Sequence, residues 1–246
     1  FRVYWPKQPK PVLILSPLPC ETMRQVPVSL DLDVRPRNAD VHLGLRELEP
    51  PNVLAALTVQ PSRGRSPVTI RLSCHVLLLP LGRGKRVLDT RAPRGLDPPA
   101  QQWLKPTGHC QSDAPEIREV ADKFGAEGMA AREVAEQVLS FVRRTRGSRR
   151  GVRSLDAVTA LTHNVSCTTA ANLAAALFRA RGIPARLVRV CPPVGCPLEA
   201  HWVVEWFDGE RGWVAVEPGA GRALDNPYEY LLVGLVYPPY EEDWHK

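Results

Sequence analysis

The chain has 246 residues, enough for one large domain or two small ones with ample apolar surface to bury. Its composition is that of a globular protein apart from 25 prolines, and no run approaches the roughly 18 uncharged apolar residues that a membrane-spanning helix requires, so none is expected. The net charge of +6 gathers in one run, Arg143, Arg144, Arg146, Arg149, Arg150 and Arg153; with no zinc-finger or RNP pattern beside it, the run reads as a solvated loop rather than a polyanion patch, and no specific nucleic-acid partner is expected.

Residues 1–100 read as β. Pro11-Val-Leu-Ile-Leu15 is a short apolar run. The segment 26–34 alternates with period 2, which puts Val28, Leu30, Leu32 and Val34 on one face. Residues 53–59 fit a helix or a strand, and Val68-Thr-Ile-Arg-Leu72 alternates again before running into Val76-Leu-Leu-Leu79. Turn-rich breaks at 36–39, 50–52 and 61–64 separate these runs, a spacing that suggests a sandwich or small antiparallel sheet. A Gly/Pro/Arg-rich stretch at about 82–100 reads as a linker, giving a β-rich N-terminal domain over 1–100 and a second domain over 101–246.

The second part opens helical. Asp113, Pro115 and Glu116 form a capping pattern ahead of Ile117, Val120, Ala121 and Phe124, and Gly125 can end that segment. A second helix carries Ala131, Val134, Ala135, Val138, Leu139 and Val142 on one stripe, and a short third carries Leu155, Val158 and Leu161. A fourth starts at Cys167, with Ala170, Leu173, Ala174, Leu177 and Phe178 at helical spacing before Gly182 and Pro184 stop it. Strands follow at 185–190, 201–207 and 213–216, with a turn at 208–212. Helices first and an antiparallel meander after them is an α+β pattern. Trp202, Trp206 and Trp213 are expected to pack the sheet.

Six cysteines spread over this length do not make a disulfide scaffold. Cys191 and Cys196 flank a Pro-Pro-Val-Gly loop and are either bonded or, the preferred reading, two thiols; a zinc site with His201 lacks a fourth ligand. Asn164-Val-Ser166 fits a glycosylation acceptor, a short and common pattern. No signal-peptide pattern stands at Phe1, and the compartment stays open.

Cys167 sits where a loop meets a helix. Unpaired N–H groups and the helix dipole there lower a thiol pKa and can stabilise an oxyanion. His201 opens a strand that can lie beside this helix, and Glu217 closes the next strand, so a tight turn between them returns both ends to one edge. Cys as nucleophile, His as base and a carboxylate to orient the imidazole is the arrangement thiol acyl transfer needs. His163, close to Cys167 in sequence, is expected in a loop.

Three phrases in order carry a resemblance. Residues 166–186, Ser-Cys-Thr-Thr-Ala-Ala-Asn through Arg-Ala-Arg-Gly-Ile-Pro-Ala-Arg, resemble the cysteine helix of the transglutaminase-like superfamily. His201-Trp-Val-Val-Glu-Trp206 resembles its histidine strand, and Gly212-Trp-Val-Ala-Val-Glu-Pro218 its Gly-Trp-x-x-x-Asp-Pro segment. The resemblance implies a papain-like α+β core, helices packed on an antiparallel sheet, with Cys167 as nucleophile, His201 as base and Glu217 as orienting acid. It implies cysteine-dependent acyl transfer on protein or peptide amides, hydrolysis ahead of cross-linking, without a cofactor. A catalytically silent fold used for binding or assembly is the alternative. The sequence departs from the family at Val165, where Gly is usual, at Thr168 to Ala171, where an aromatic residue often stands, and at Glu217, where Asp is usual. The upstream oxyanion donor is unassigned, with Trp103 and Gln111 as guesses.

Overall fold

The architecture was obtained as a computed structural model, which describes residues 1–5, 10–21, 25–49, 51–61, 66–78, 100–125, 129–145, 154–163, 166–191, 201–208, 212–224, 229–236 and 241. Six strands come first: β1 (Arg2–Val3), β2 (Val12–Pro17), β3 (Gln25–Arg35), β4 (Val41–Glu47), β5 (Val53–Val59) and β6 (Val68–Leu78). They form two antiparallel three-stranded sheets, β1-β6-β3 and β2-β5-β4. Period-2 alternation buries Val3, Val68 and Ile70 of one sheet against Leu57 and Val59 of the other, so the sheets face each other as a small sandwich. The ambiguous run 53–59 is thereby a strand, its β-branched ends and buried Ala55 and Leu57 fitting the central position of its sheet.

One expectation fails here for a local reason. Val28 does not join the face of Leu30, Leu32 and Val34: the pairing of β3 with β6 slips between Pro27 and Ser29, and Val28 is 65% exposed. A bulge shifts side-chain parity, and Pro27, lacking an N–H, stands beside it. The strand at 41–47, not among the expected elements although Val41, Leu43 and Leu45 alternate with other residues, lies at the edge of its sheet with nearly all its residues exposed. The linker at about 82–100 lies outside the described residues except at Ala100, where a 3₁₀ turn (Ala100–Leu104) begins.

The second half holds α1 (Pro115–Ala121), α2 (Ala131–Arg144), α3 (Ala157–Ala160) and α4 (Cys167–Ala180), followed by β7 (Ala185–Cys191), β8 (His201–Asp208), β9 (Gly212–Glu217), β10 (Arg222–Ala223) and β11 (Leu231–Val236). The molecule is therefore α+β, with a β-rich N-terminal region ahead of helices on an antiparallel sheet of order β10-β9-β8-β7-β11. Asp113 does not cap α1; Ala114 takes that position without a side-chain bond, and Pro115 begins the helix, where its missing N–H leaves no partner wanting. Leu155 precedes α3, whose cap is Asp156, accepting the Thr159 N–H at 2.7 Å.

α4 lies at the centre, packed by α1, α2 and α3 and by β7 and β8. Its alanines at 170, 171, 174, 175 and 176 are all buried, which lets neighbours approach from every side. Leu187, Val204, Trp206 and Val216 face the helices, while Val188, Val190, Val203, Trp213, Ala215 and Leu232 face the other way onto Trp103 and Cys20. On that second face Arg186 pairs with Glu205 at 2.7 Å, its guanidinium 4.0 Å from the centre of the Trp213 ring.

β11 was not foreseen. Its inner edge pairs with β7, and its outer edge is met by two amide side chains from the N-terminal half. Gln25 Nε2 donates to Leu232 O at 2.7 Å and Gln25 Oε1 accepts the Leu232 N–H at 2.9 Å. Asn52 does the same for Leu235, both bonds 2.7 Å. All four bonds are buried, so an edge that would otherwise present open peptide groups is closed by side chains.

Candidate active site

Ser166 caps α4 and places Cys167 in its first turn. The Ser166 Oγ accepts the Thr169 N–H at 3.2 Å and the Thr169 Oγ1 accepts the Ser166 N–H at 2.7 Å, a reciprocal capping box. That leaves the Cys167 thiol half-buried at the positive end of the helix. Val165 and Asn164 lie outside the described residues, and with them the departure at 165 and the glycosylation pattern.

His201 begins β8 and Glu217 ends β9. The two strands pair through Val204 with Val216 and Asp208 with Gly212, which returns His201 and Glu217 to one end of the sheet. His201 Nε2 is hydrogen-bonded to Glu217 Oε2, a side chain only 8% exposed. That bond leaves Nδ1 for Cys167, whose thiol is hydrogen-bonded to His201 and also receives the Trp202 backbone N–H. The turn after Glu217 closes by the Gly221 N–H donating to Glu217 O at 2.8 Å. Gly221 has φ +66°, and a Cβ there would stand 3.0 Å from Arg143 Cδ, so any other residue would be strained and would press on Arg143. The structure thus brings together all three residues picked from the sequence.

The charges at the site reinforce one another. The hydrogen bond to His201 leads in pulling the Cys167 thiol below its ordinary value, burial opposes it, and the Trp202 N–H adds to the lowering. The same contact leads in raising His201, which together with Glu217 pushes the imidazole up to about 9 against the effect of burial. Other thiols go the opposite way: burial raises Cys20 to about 12, and it raises Cys74 and Cys110 as well.

Several side chains have other duties. Trp103 is fully buried, edge-on to Trp213 at 5.9 Å. Gln111 Oε1 accepts the Val158 N–H at the start of α3, at 3.1 Å. His163 bonds within its own turn, to Thr159 O and Thr162 Oγ1. Trp202, Trp206 and Trp213 are buried in the sheet. Cys191 ends β7, buried, while Cys196 lies outside the described residues, as do Arg146, Arg149, Arg150 and Arg153. Among the described residues no three His, Cys, Asp or Glu side chains gather as a metal site, and no helix is long and apolar enough to cross a membrane.

Sequence reasoning missed Tyr230. It lies just before β11, and its ring stacks on the His201 imidazole with centroids 5.5 Å apart and planes 21° from parallel. No motif marks this tyrosine; only the unforeseen strand after it brings it here. The Trp202 N–H was likewise missed, since a backbone donor leaves no signature in side-chain identity.

Residues 118–218 match the family model of the transglutaminase-like superfamily. Among solved structures, a proposed cysteine protease from Cytophaga hutchinsonii is similar at 18% identity and a TM-score of 0.64, over 94% of this chain and 78% of that one. The periplasmic domain of TgpA from Pseudomonas aeruginosa aligns at 16% identity and a TM-score of 0.42, over 89% of this chain and 73% of that one. No curated protein matches the chain. At these identities the structural likeness speaks for the fold, and the C. hutchinsonii match extends it across the β-rich N-terminal region as well.

Proposed function

We propose that this chain, transglutaminase-like over residues 118–218, is a cysteine-dependent hydrolase of peptide or protein amides, with Cys167, His201 and Glu217 as its triad. The observation that carries the proposal is the pairing of a lowered thiol with a raised imidazole at a capped helix start. That pair favours a thiolate and an imidazolium at neutral pH.

In the reaction the Cys167 thiolate attacks the carbonyl carbon of the amide. The C–N bond breaks as His201 gives its Nδ1 proton to the departing amine, leaving a thioester on Cys167. Water then attacks the thioester, His201 takes one of its protons, and the C–S bond breaks to release the acid and the thiolate. Glu217 keeps the imidazole turned with Nδ1 toward sulfur throughout. The Cys167 N–H, in the first turn of α4 and so without an intrahelical acceptor, is placed to stabilise the oxyanion. Water is taken as the second nucleophile, and the half-buried Cys167 is open to it. The N-terminal β-rich part, 1–100, and the domain from 101 onward are proposed as separate domains of one working unit, joined through the Gln25 and Asn52 bonds.

The test is the rate of iodoacetamide alkylation of each cysteine against pH, resolved by peptide mass spectrometry, in wild type and His201→Ala. Cys167 should label fast below the ordinary thiol pKa of about 8.5 and lose that advantage without His201. Equal labelling of Cys167 in both proteins sinks the catalytic reading and makes a binding scaffold the better one.

A further inference from the structure

We infer that Tyr230 is a positioning residue that covers the His201–Glu217 hydrogen bond and fixes the plane of the His201 ring, so that the thiol of Cys167 is more strongly activated while this aromatic face is in place. The inference rests on the triad proposed above and deepens it.

The geometry carries the argument. An imidazole bonded at Nε2 can still swing about that bond, and the swing takes Nδ1 off the sulfur. A near-parallel ring at 5.5 Å blocks that motion on one face. Tyr230 packs against the buried cluster that includes Val190, Val203, Leu232 and Leu235, which anchors its side chain. Leu232, two residues on, is gripped by Gln25 at both its N–H and its carbonyl, which fixes the backbone that delivers Tyr230. A ring in this place also keeps water from the imidazole–carboxylate bond, which is stronger where water is excluded. An aromatic face next to an imidazolium favours its charged form.

The charges around the ring are of both signs. Cys167 faces His201 from α4 and Glu217 from β9. Arg222 of β10 lies near Glu217 and Tyr230, and is itself bonded to Glu229 at 2.7 Å. The Tyr230 hydroxyl is raised by burial and by Glu217, and so stays neutral where the pair works. What Tyr230 offers His201 is therefore its ring face.

The experiment is the pH profile of Cys167 alkylation by iodoacetamide in the full chain, in wild type, Tyr230→Phe and Tyr230→Leu, with the unfolding midpoint of each measured alongside. Tyr230→Leu keeps apolar bulk on the cluster but removes the ring. It should move the midpoint of Cys167 labelling up by roughly half a pH unit, while Tyr230→Phe follows wild type. A Leu variant that is less stable yet keeps the wild-type midpoint overturns the inference, because a merely structural residue behaves that way. So does a Phe variant that shifts as far as Leu, since the hydroxyl would then be responsible. Should Tyr230→Leu fail to fold, Tyr230→Met replaces it with the same expectations. Failure of the triad itself gives a separate signal: wild-type Cys167 then shows no fast labelling below about pH 8.5.

Discussion

At the scale of single residues, the proposed chemistry turns on one proton passing between sulfur and imidazole. His201→Ala should lower peptide hydrolysis by on the order of 10²–10⁴-fold in kcat/KM, the usual worth of a general acid–base group. The pair also makes a distinct prediction about stability. His201, raised in the folded state to about 9, contributes stability that is complete below its unfolded value of about 6.5 and is lost as pH rises through about 9. Cys167, lowered in the folded state, contributes stability that is complete above its unfolded value of about 8.5 and is lost as pH falls through its folded value. Between the folded and unfolded values of Cys167 its contribution grows with pH while that of His201 fades, so this pair should flatten wild-type stability there. Cys167→Ala keeps the Glu217 bond to His201 but removes the compensating thiol. Its urea midpoint, relative to wild type, should fall as pH rises from about 6.5. A Cys167→Ala protein whose difference from wild type does not change with pH would mean that Glu217 without the thiol does not hold the imidazole raised.

Elements explain why the site was legible when parts of the fold were not. Cys167, His201 and Glu217 each stand at the end of an element whose period and stop signals are local: Ser166 before a helical stripe, a period-2 run from His201, a turn from 208 to 212. Such ends can be read from neighbours in sequence. β11 could not, because its apolar run, Leu-Leu-Val-Gly-Leu-Val, fits several structures and its partner β7 is remote in sequence. Tyr230 was hidden with it, and Val28 was misplaced because a one-residue bulge leaves alternation in the sequence intact while reversing it in space. The cap invites a test at this scale. Ser166→Ala should cost about 1 kcal/mol, typical for a lost N-cap, and should slow Cys167 labelling at neutral pH as the first turn frays. Measuring unfolding and alkylation on the same protein checks both; a loss of stability with unchanged labelling would detach the cap from the chemistry.

Across the whole molecule, distant segments meet on buried polar side chains. Arg179 of α4 donates to Ala185 O and Lys105 O and pairs with Glu241, which also accepts from Thr107; both ionic side chains are fully buried. Removing one charge should cost about 3–5 kcal/mol, as in Glu241→Gln, while the double change Arg179→Met with Glu241→Leu should lie closer to wild type in a urea titration. A double variant as unstable as the single one would show that the bonds to Lys105 and Ala185 matter more than the charge balance. The amide grips on β11 have a different consequence, one for how the protein tolerates change over generations. Gln25 and Asn52 read the peptide groups of Leu232 and Leu235, not their side chains, so the join itself is indifferent to which apolar residue packs the core at those positions. The reading side has no such latitude. A carboxamide sets a donor and an acceptor side by side, the pairing that one peptide N–H and C=O ask for, and Gln25→Glu or Asn52→Asp would turn an oxygen toward a carbonyl. Variation in hydrogen-bonding chemistry is thus tolerated less on the amide side of this join than on the strand side.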